Sequence, residues 1–267
     1  MTNFHVVAGP KGSVEHPVIR RISVNDLTIA LRQGLDDFLS QPSHLVFIGL
    51  IYPVIGLILA FWASNADLLP VLYPLMSGFA LIGPLAAIGL YEISRRREAG
   101  LDTSWTHAFD VLRSPSLPAI IVLGIALLVI FIAWLTTANA LYNWLFEPPG
   151  QVTLQQFIDN ILHTARGYEL ILIGNVVGFV FAALAFCISA VSFPLLLDRD
   201  VGAGVAAVTS VRAVLDNLVP MIVWGLIISA GLVVGFATLF IGLAVIMPVL
   251  GHASWHLYRR IVQPVAA

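Results

Sequence analysis

The stretch from Leu218 to Tyr258 contains no Asp, Glu, Lys or Arg. Drawn as one helix it would be about 60 Å long, roughly twice the hydrocarbon thickness of a bilayer. A soluble core has no use for so long an uncharged run, and a single span cannot use all of it. Two helices joined by a tight turn near Gly235–Phe240 satisfy both limits. Composition points the same way. The chain has 267 residues, 59% hydrophobic and 10% charged, with mean hydropathy +0.94. Soluble domains carry about 25% charged residues, so this chain lacks the polar surface to coat a water-facing globule. The bilayer is the expected solvent.

The runs 44–63, 71–92, 117–138 and 169–197 each supply the roughly 20 apolar residues that a crossing helix needs. With the pair in 218–258 they make six spans. Charge provides an independent check, because short cytoplasmic segments accumulate Lys and Arg. With six spans and an inner N-terminus, every basic residue except Arg166 falls on the inner side. A five-span arrangement would place Arg259 and Arg260 outside. The expected fold is all-α and polytopic, with six transmembrane helices and both termini inside. The first 43 residues hold no apolar core ahead of a small-residue cleavage site, so we expect no signal peptide and insertion by the first span. Residues 1–19 read as a disordered cytoplasmic tail and 20–262 as a single membrane domain.

The segments between spans read as amphipathic helices. Leu27, Ala30, Leu31, Leu35 and Phe38 share one face after Ser23, a cap flanked by Ile22 and Leu27 as a hydrophobic staple, and Pro42 ends the run. A second helix is expected over about 103–113, with Trp105, Ala108, Phe109 and Leu112 facing one way. A third covers about 203–216, with Val205, Val208, Val211 and Leu215 on a looser stripe. In the outer loop, Thr153 and Gln156 form a capping-box pattern with Val152 and Phe157 as staple. Leu154, Phe157, Ile158, Ile161 and Leu162 make its apolar face, and Gly167 follows its last turn. That helix reads as interfacial, with a partner-docking face as the alternative.

The order amphipathic helix, span, span recurs three times, over 23–97, 102–199 and 203–260. Residues 103–118 align with 205–220, placing Pro118 over Pro220, and Pro84, Pro194 and Pro248 recur near the inner ends of the exit spans. We read a weak threefold repeat of helical hairpins, with ordinary tolerated kinks as the alternative account of the prolines.

Reactive chemistry is sparse. No Asp, Glu, Lys or Arg lies well inside the hydrocarbon, which argues against proton relays and ion-coupled transport. Gly174, Gly178 and Ala182 recur every four residues, as do Gly231 and Gly235; such stripes let helices approach closely, within the chain or between subunits. The lone Cys187 excludes an internal disulfide, and a net charge of −2 gives no footprint for nucleic acid. His252 and His256 stand four apart, a spacing that lets two imidazoles share a helix face. Zinc needs three or four ligands, and a bis-histidine haem needs ligands from two helices, such as His44 with His252 or His256. The favoured reading assigns no metal, no cofactor and no catalytic residue. It places Trp255 and Tyr258 in the aromatic belt, the histidines at headgroup level and Arg259–Arg260 in water. Arg95–Glu98 reads as a topogenic charge cluster, with anionic lipid binding as its alternative.

The segments 20–38, LIYPVIGL (50–57), SFPLLLDRDVG (192–202) and PVLGHASWHLYRR (248–260) resemble an uncharacterised bacterial family of six-span membrane proteins. The resemblance covers nearly everything after residue 20 and implies a multi-pass protein of the inner membrane with no established activity. Some relatives are labelled cytochrome c oxidase subunit I. That subunit ligates its haems through histidines inside the bilayer, whereas the spans read here hold no histidine at their centres. The expected function is a non-enzymatic structural, assembly or lipid-organising component, in contact with lipid and with a membrane-protein partner or a second copy of itself. The alternative is a passive channel or uncoupled carrier for a neutral or lipid-like solute.

Overall fold

A computed structural model describes residues 17–40, 69–79, 81, 83–146, 154–238 and 240–264, together with Val6. The first expected span (44–63), His44, most of the N-terminal tail and the Val152–Thr153 cap lie outside the described residues. Among the described residues the chain is helical, with one isolated antiparallel bridge between Ile19 and Val262. The helices are α1 (Val24–Ser40), α2 (Leu69–Phe79), α3 (Gly83–Ala86), α4 (Ile88–Glu98), α5 (Leu117–Leu145) and α6 (Leu154–His163). They continue as α7 (Ala165–Ser189), α8 (Ser192–Asp198), α9 (Ala203–Asp216), α10 (Leu218–Ala237) and α11 (Leu243–Ile261), with a 3-10 helix at Trp105–Arg113. Among the described residues, three stretches are long and apolar enough to cross a membrane: Leu117–Leu145, Ala165–Asp198 and Leu218–Ala237. The run read as one span over 71–92 is interrupted, passing from α2 through α3 to α4.

Contacts divide the chain into two units. The first comprises Met1–Pro53, Gly83–Ile125 and Phe186–Ala267; the second comprises Val54–Ile82 and Ala126–Ala185.

In the first unit, α1 packs along α11. The reason is local: a Cβ on Gly34 would stand 2.5 Å from the Ala253 backbone nitrogen and 2.7 Å from the Val249 carbonyl oxygen, so only glycine allows this approach. The face of α1 that is buried therefore differs from the expected one. Leu27, Ala30, Gly34 and Asp37 point inward while Leu35 is exposed. The helix starts with the acidic half of a capping box: Asp26 Oδ2 accepts from the Ser23 backbone N–H and from the Ser23 hydroxyl, both at 2.8 Å. The segment before it is held at both edges. Arg20 N–H donates to the Ile261 carbonyl, and Asn217 accepts from Ile22 N–H while donating to the Arg20 carbonyl.

The expected turn near Gly235–Phe240 is present. α10 ends at Ala237 and α11 begins at Leu243. Phe240 takes a positive φ of 66° to reverse the chain, and its N–H donates to the Gly235 carbonyl at 3.0 Å. Pro118 and Pro220 each stand in the first turn of a long helix, where a missing N–H costs nothing. On α9 the expected stripe holds only in part: Val205 is buried and Val211 half-buried. Ala206, Thr209, Ser210 and Ala213 are buried while Val208 and Leu215 are exposed. Small and hydroxyl side chains win this face because Thr209 bonds back to the Val205 carbonyl and Ser210 Oγ accepts from Val191 N–H, so they bury without orphaned groups.

In the second unit, Trp134 is the central side chain. It is 4% exposed, and its indole N–H donates to the Pro74 carbonyl at 2.9 Å. Gly178 gives it room, since a Cβ there would lie 3.0 Å from the ring. The small-residue stripe of α7 thus meets a partner within the chain, as does the α10 stripe, whose Gly231 and Gly235 lie against Ile246 and Leu243. Gly167 does not end α6. Thr164 Oγ1 accepts from Gly167 N–H at 2.9 Å and so caps α7, and a Cβ on Gly167 would collide with the Asn160 and Ile161 carbonyls at the end of α6.

Candidate functional site

Three helices of the first unit bring polar side chains onto one carboxylate. Asp37, in the last turn of α1, is 7% exposed. Its Oδ1 accepts from Arg97 at 2.6 Å; its Oδ2 accepts from the Ser94 hydroxyl at 2.5 Å and from His256 Nε2 at 2.8 Å. α1, α4 and α11 each contribute. Burial pushes the Asp37 carboxyl up, but the hydrogen bonds from His256 and Ser94 and the nearby histidines outweigh it and hold it below the usual aspartate range.

Proton counting fixes the rest of the chain of bonds. The single Ser94 proton goes to the carboxylate, so the Ser94 oxygen accepts from His252 Nδ1 at 2.8 Å. Serine thus sits between acid and histidine. In a catalytic triad the histidine takes that position and can accept the hydroxyl proton. Here it cannot, and Ser94 is completely buried. His252 is 1% exposed; the Leu90 backbone lies near its ring, but Nε2 makes no hydrogen bond of ordinary geometry. His256 thus bonds Asp37 directly, and His252 is linked to the same carboxylate through Ser94. Among the described residues no group of three His, Cys, Asp or Glu could hold a metal.

A second knot lies beside the first. Glu98 accepts from the Trp255 indole N–H at 3.0 Å and from Arg259 Nε at 2.9 Å. The Tyr258 hydroxyl donates to Asp198 Oδ2 at 2.6 Å, and Arg259 reaches the same carboxylate at 3.6 Å. Trp255 and Tyr258 are each 1% exposed. The aromatic-belt expectation is thereby corrected: these rings face inward because their polar atoms have acids to meet there. Arg259 and Arg260 are tied too, Arg260 to Asp26 at 2.6 Å. Replacing Tyr258 with Phe removes a hydrogen bond to a carboxylate and should cost about 2 kcal/mol of stability, measured by denaturant unfolding in detergent micelles.

The three consecutive arginines of the charge cluster part company. Arg95 makes a two-pronged bond to the buried Glu92 at 2.7 and 2.8 Å, Arg96 reaches Asp110 and the Asp102 carbonyl, and Arg97 reaches Asp37. Between the two knots opens a cleft of about 420 Å³ lined by Gln33, Asp36, Asp37, Arg97, Glu98, His256, Arg259 and Arg260. Its cations are already committed to acids, so it presents a mixed, nearly balanced surface.

The 3-10 helix carries a separate clip. His107 Nδ1 stands 2.6 Å from Asp110 and Nε2 stands 3.0 Å from Asp102. Both carboxyls are held below their ordinary range by the His107 hydrogen bonds, and those bonds raise His107 in turn. Two carboxylates can only be satisfied by an imidazole carrying both protons. A raised histidine contributes stability that is complete below its unfolded value near 6.5 and is lost as pH rises through the folded value. Hydrogen exchange of residues 102–113 should therefore accelerate from neutral to alkaline pH in excess of intrinsic amide chemistry, and His107→Gln should abolish the excess.

Sequence reasoning singled out His252, His256 and the arginine cluster, and of that cluster the structure brings only Arg97 to the histidines, at Asp37. It missed Asp37, Ser94 and Asp198, and it read Glu98 only as part of the charge cluster. One signal was legible: Asp37 follows Leu27, Ala30 and Gly34 at helical spacing, the mark of a residue on the packed face.

Among known proteins, the family model described as "Predicted integral membrane protein (DUF2189)" matches residues 72–198. No curated protein and no solved structure matches the chain.

Proposed function

We propose, from the match of residues 72–198 to that family model of predicted integral membrane proteins, that the chain is a six-span protein of the bacterial inner membrane with both termini inside. Its role is structural: it holds a rigid cytoplasmic end plate at the membrane on which other membrane components are organised. It is not an enzyme in this reading. The observation that carries it is the Asp37 knot. Acids, arginines and histidines that could serve chemistry are spent on one another, tying α1, α4 and α11 into one body. Buried ionic networks of this kind favour a unique arrangement over raw stability.

The span count extends the three apolar helices by the 44–63 run, the α2–α4 stretch and α11, and the placement of the basic residues supports the inner position of both ends. Reporter fusions test this part. A fluorescent reporter at the C-terminus should be active, and phosphatase fusions after residues 66 and 150 should be active in the periplasm; phosphatase activity at the C-terminus would refute the layout. Reconstitution tests the role. Vesicles carrying the purified chain alone should retain small neutral solutes. Protein-dependent leakage would replace the structural reading with the passive-channel one.

A further inference from the structure

We propose that the 3-10 helix Trp105–Arg113 is an in-plane membrane anchor, seating Phe109 and Leu112 in the headgroup layer beside the inner end of α5. The inference rests on the reading of α5 as a membrane span.

The argument begins with helical period. The sequence suggests an α-type face that groups Trp105, Ala108, Phe109 and Leu112, but the segment winds with three residues per turn, so positions i and i+3 eclipse. Three ridges result. Trp105, Ala108 and Val111 form the first. Val111 is buried, and Ala108 lies against α4 where Gly89 has no side chain; a Cβ there would stand 3.1 Å from the Ala108 Cβ. His107, Asp110 and Arg113 form the second, an ionic ridge on which Arg96 of α4 also acts. Thr106, Phe109 and Leu112 form the third. Phe109 is 59% and Leu112 64% exposed, and the Trp105 ring adds apolar area beside them in an edge-on contact with Phe109 at 6.0 Å.

One ridge is thus fixed to the protein, one is held by charge, and one is apolar and uncovered. The chain itself indicates what covers it. Only Ser114–Ser116 separate the segment from α5, whose exposed Ile121, Val122 and Ile125 continue an apolar surface into the hydrocarbon. Arg113, 87% exposed at its side chain, sits at the junction, where a guanidinium on a long stem reaches phosphate. An aromatic residue, a leucine and an arginine at the mouth of a span match the chemistry of the interface.

The test uses full-length chain with Cys187→Ser, carrying a spin label at Phe109→Cys, Leu112→Cys, Arg113→Cys or Leu128→Cys, in lipid nanodiscs. Collision with oxygen reports hydrocarbon, and collision with a water-soluble nickel chelate reports water. The expected oxygen-to-nickel ratio is several-fold higher at Phe109 and Leu112 than at Arg113, and highest at Leu128. Three outcomes overturn the proposal. If Leu128 reads as aqueous, α5 is not a span and the premise fails. If Leu128 reads deep but Phe109 and Leu112 match Arg113, the anchor alone fails. If the two labels are shielded from both reagents, protein rather than lipid covers the ridge.

Discussion

Asp37→Ala should destabilise the purified chain by about 3 kcal/mol, the cost of breaking a buried charged pair while leaving its partner in place. Three donors lose their acceptor at once: the Ser94 hydroxyl, His256 Nε2 and Arg97. They do not suffer equally. Arg97 is 39% exposed at its side chain and turns to water, whereas Ser94 is completely buried and has only His252 left. Arg97→Ala should therefore cost far less than Asp37→Ala, within the range of exposed ion pairs. Asp37→Asn should fall near the alanine variant, because a carboxamide presents an NH2 where donors already point. The effect should hold across neutral pH. A depressed carboxyl contributes above its unfolded pKa and loses that contribution only as pH falls below the ordinary aspartate range. Denaturant unfolding in nanodiscs provides the measurement, with each variant's secondary structure checked beforehand.

Gly34→Ala should cost about 2 kcal/mol, although alanine in an open helix position would gain about 1 kcal/mol over glycine. The sign is the informative part. The added methyl would stand 2.5 Å from one backbone atom of α11 and 2.7 Å from another, and backbone cannot swing aside as a side-chain tip does. The helices must separate, and Asp37 one turn further along is drawn away from His256. Gly225→Ala is the internal control. Nothing lies within 4 Å of a Cβ there, so that variant should be neutral or slightly more stable. Both variants unfolding alike would mean that α1 is not seated on α11 as described.

Much of the architecture was legible because it rests on local pattern. The charge-free tract gave the α10–α11 hairpin, and its turn falls where two span lengths require. Periodicity gave α1 and α9 as helices but only part of each buried face: Leu27, Ala30 and Val205 are buried as expected, and the rest of each face is rotated. On α1 it ranked Leu35 above Gly34 and Asp37; on α9 it ranked valines above Ala206, Thr209 and Ser210. Hydrophobicity measures transfer from water, whereas close helix packing selects small residues and satisfied hydroxyls. The 3-10 helix was misread for a different reason: the apolar pairs Trp105–Ala108 and Phe109–Leu112 are three apart, a spacing that both periods place on one side, so the pattern did not tell them apart. Within the site, the His252–His256 pair was visible and its partner was not. Ser94, Arg97 and His256 lie 57, 60 and 219 residues from Asp37, and no local pattern encodes such pairings. The aromatic belt failed likewise. Trp255 and Tyr258 suit an interface by type, and only the tertiary position of Glu98 and Asp198 turns them inward.

A double-mutant cycle on Asp37 and His256 tests the knot most directly. Stabilities of the parent chain, Asp37→Ala, His256→Ala and the double variant would be measured under one set of conditions. The account predicts that the two losses are not additive, with a coupling energy of about 1.5 kcal/mol. Simple addition of the two single losses would contradict it, since α1 and α11 would then not be joined through this carboxylate.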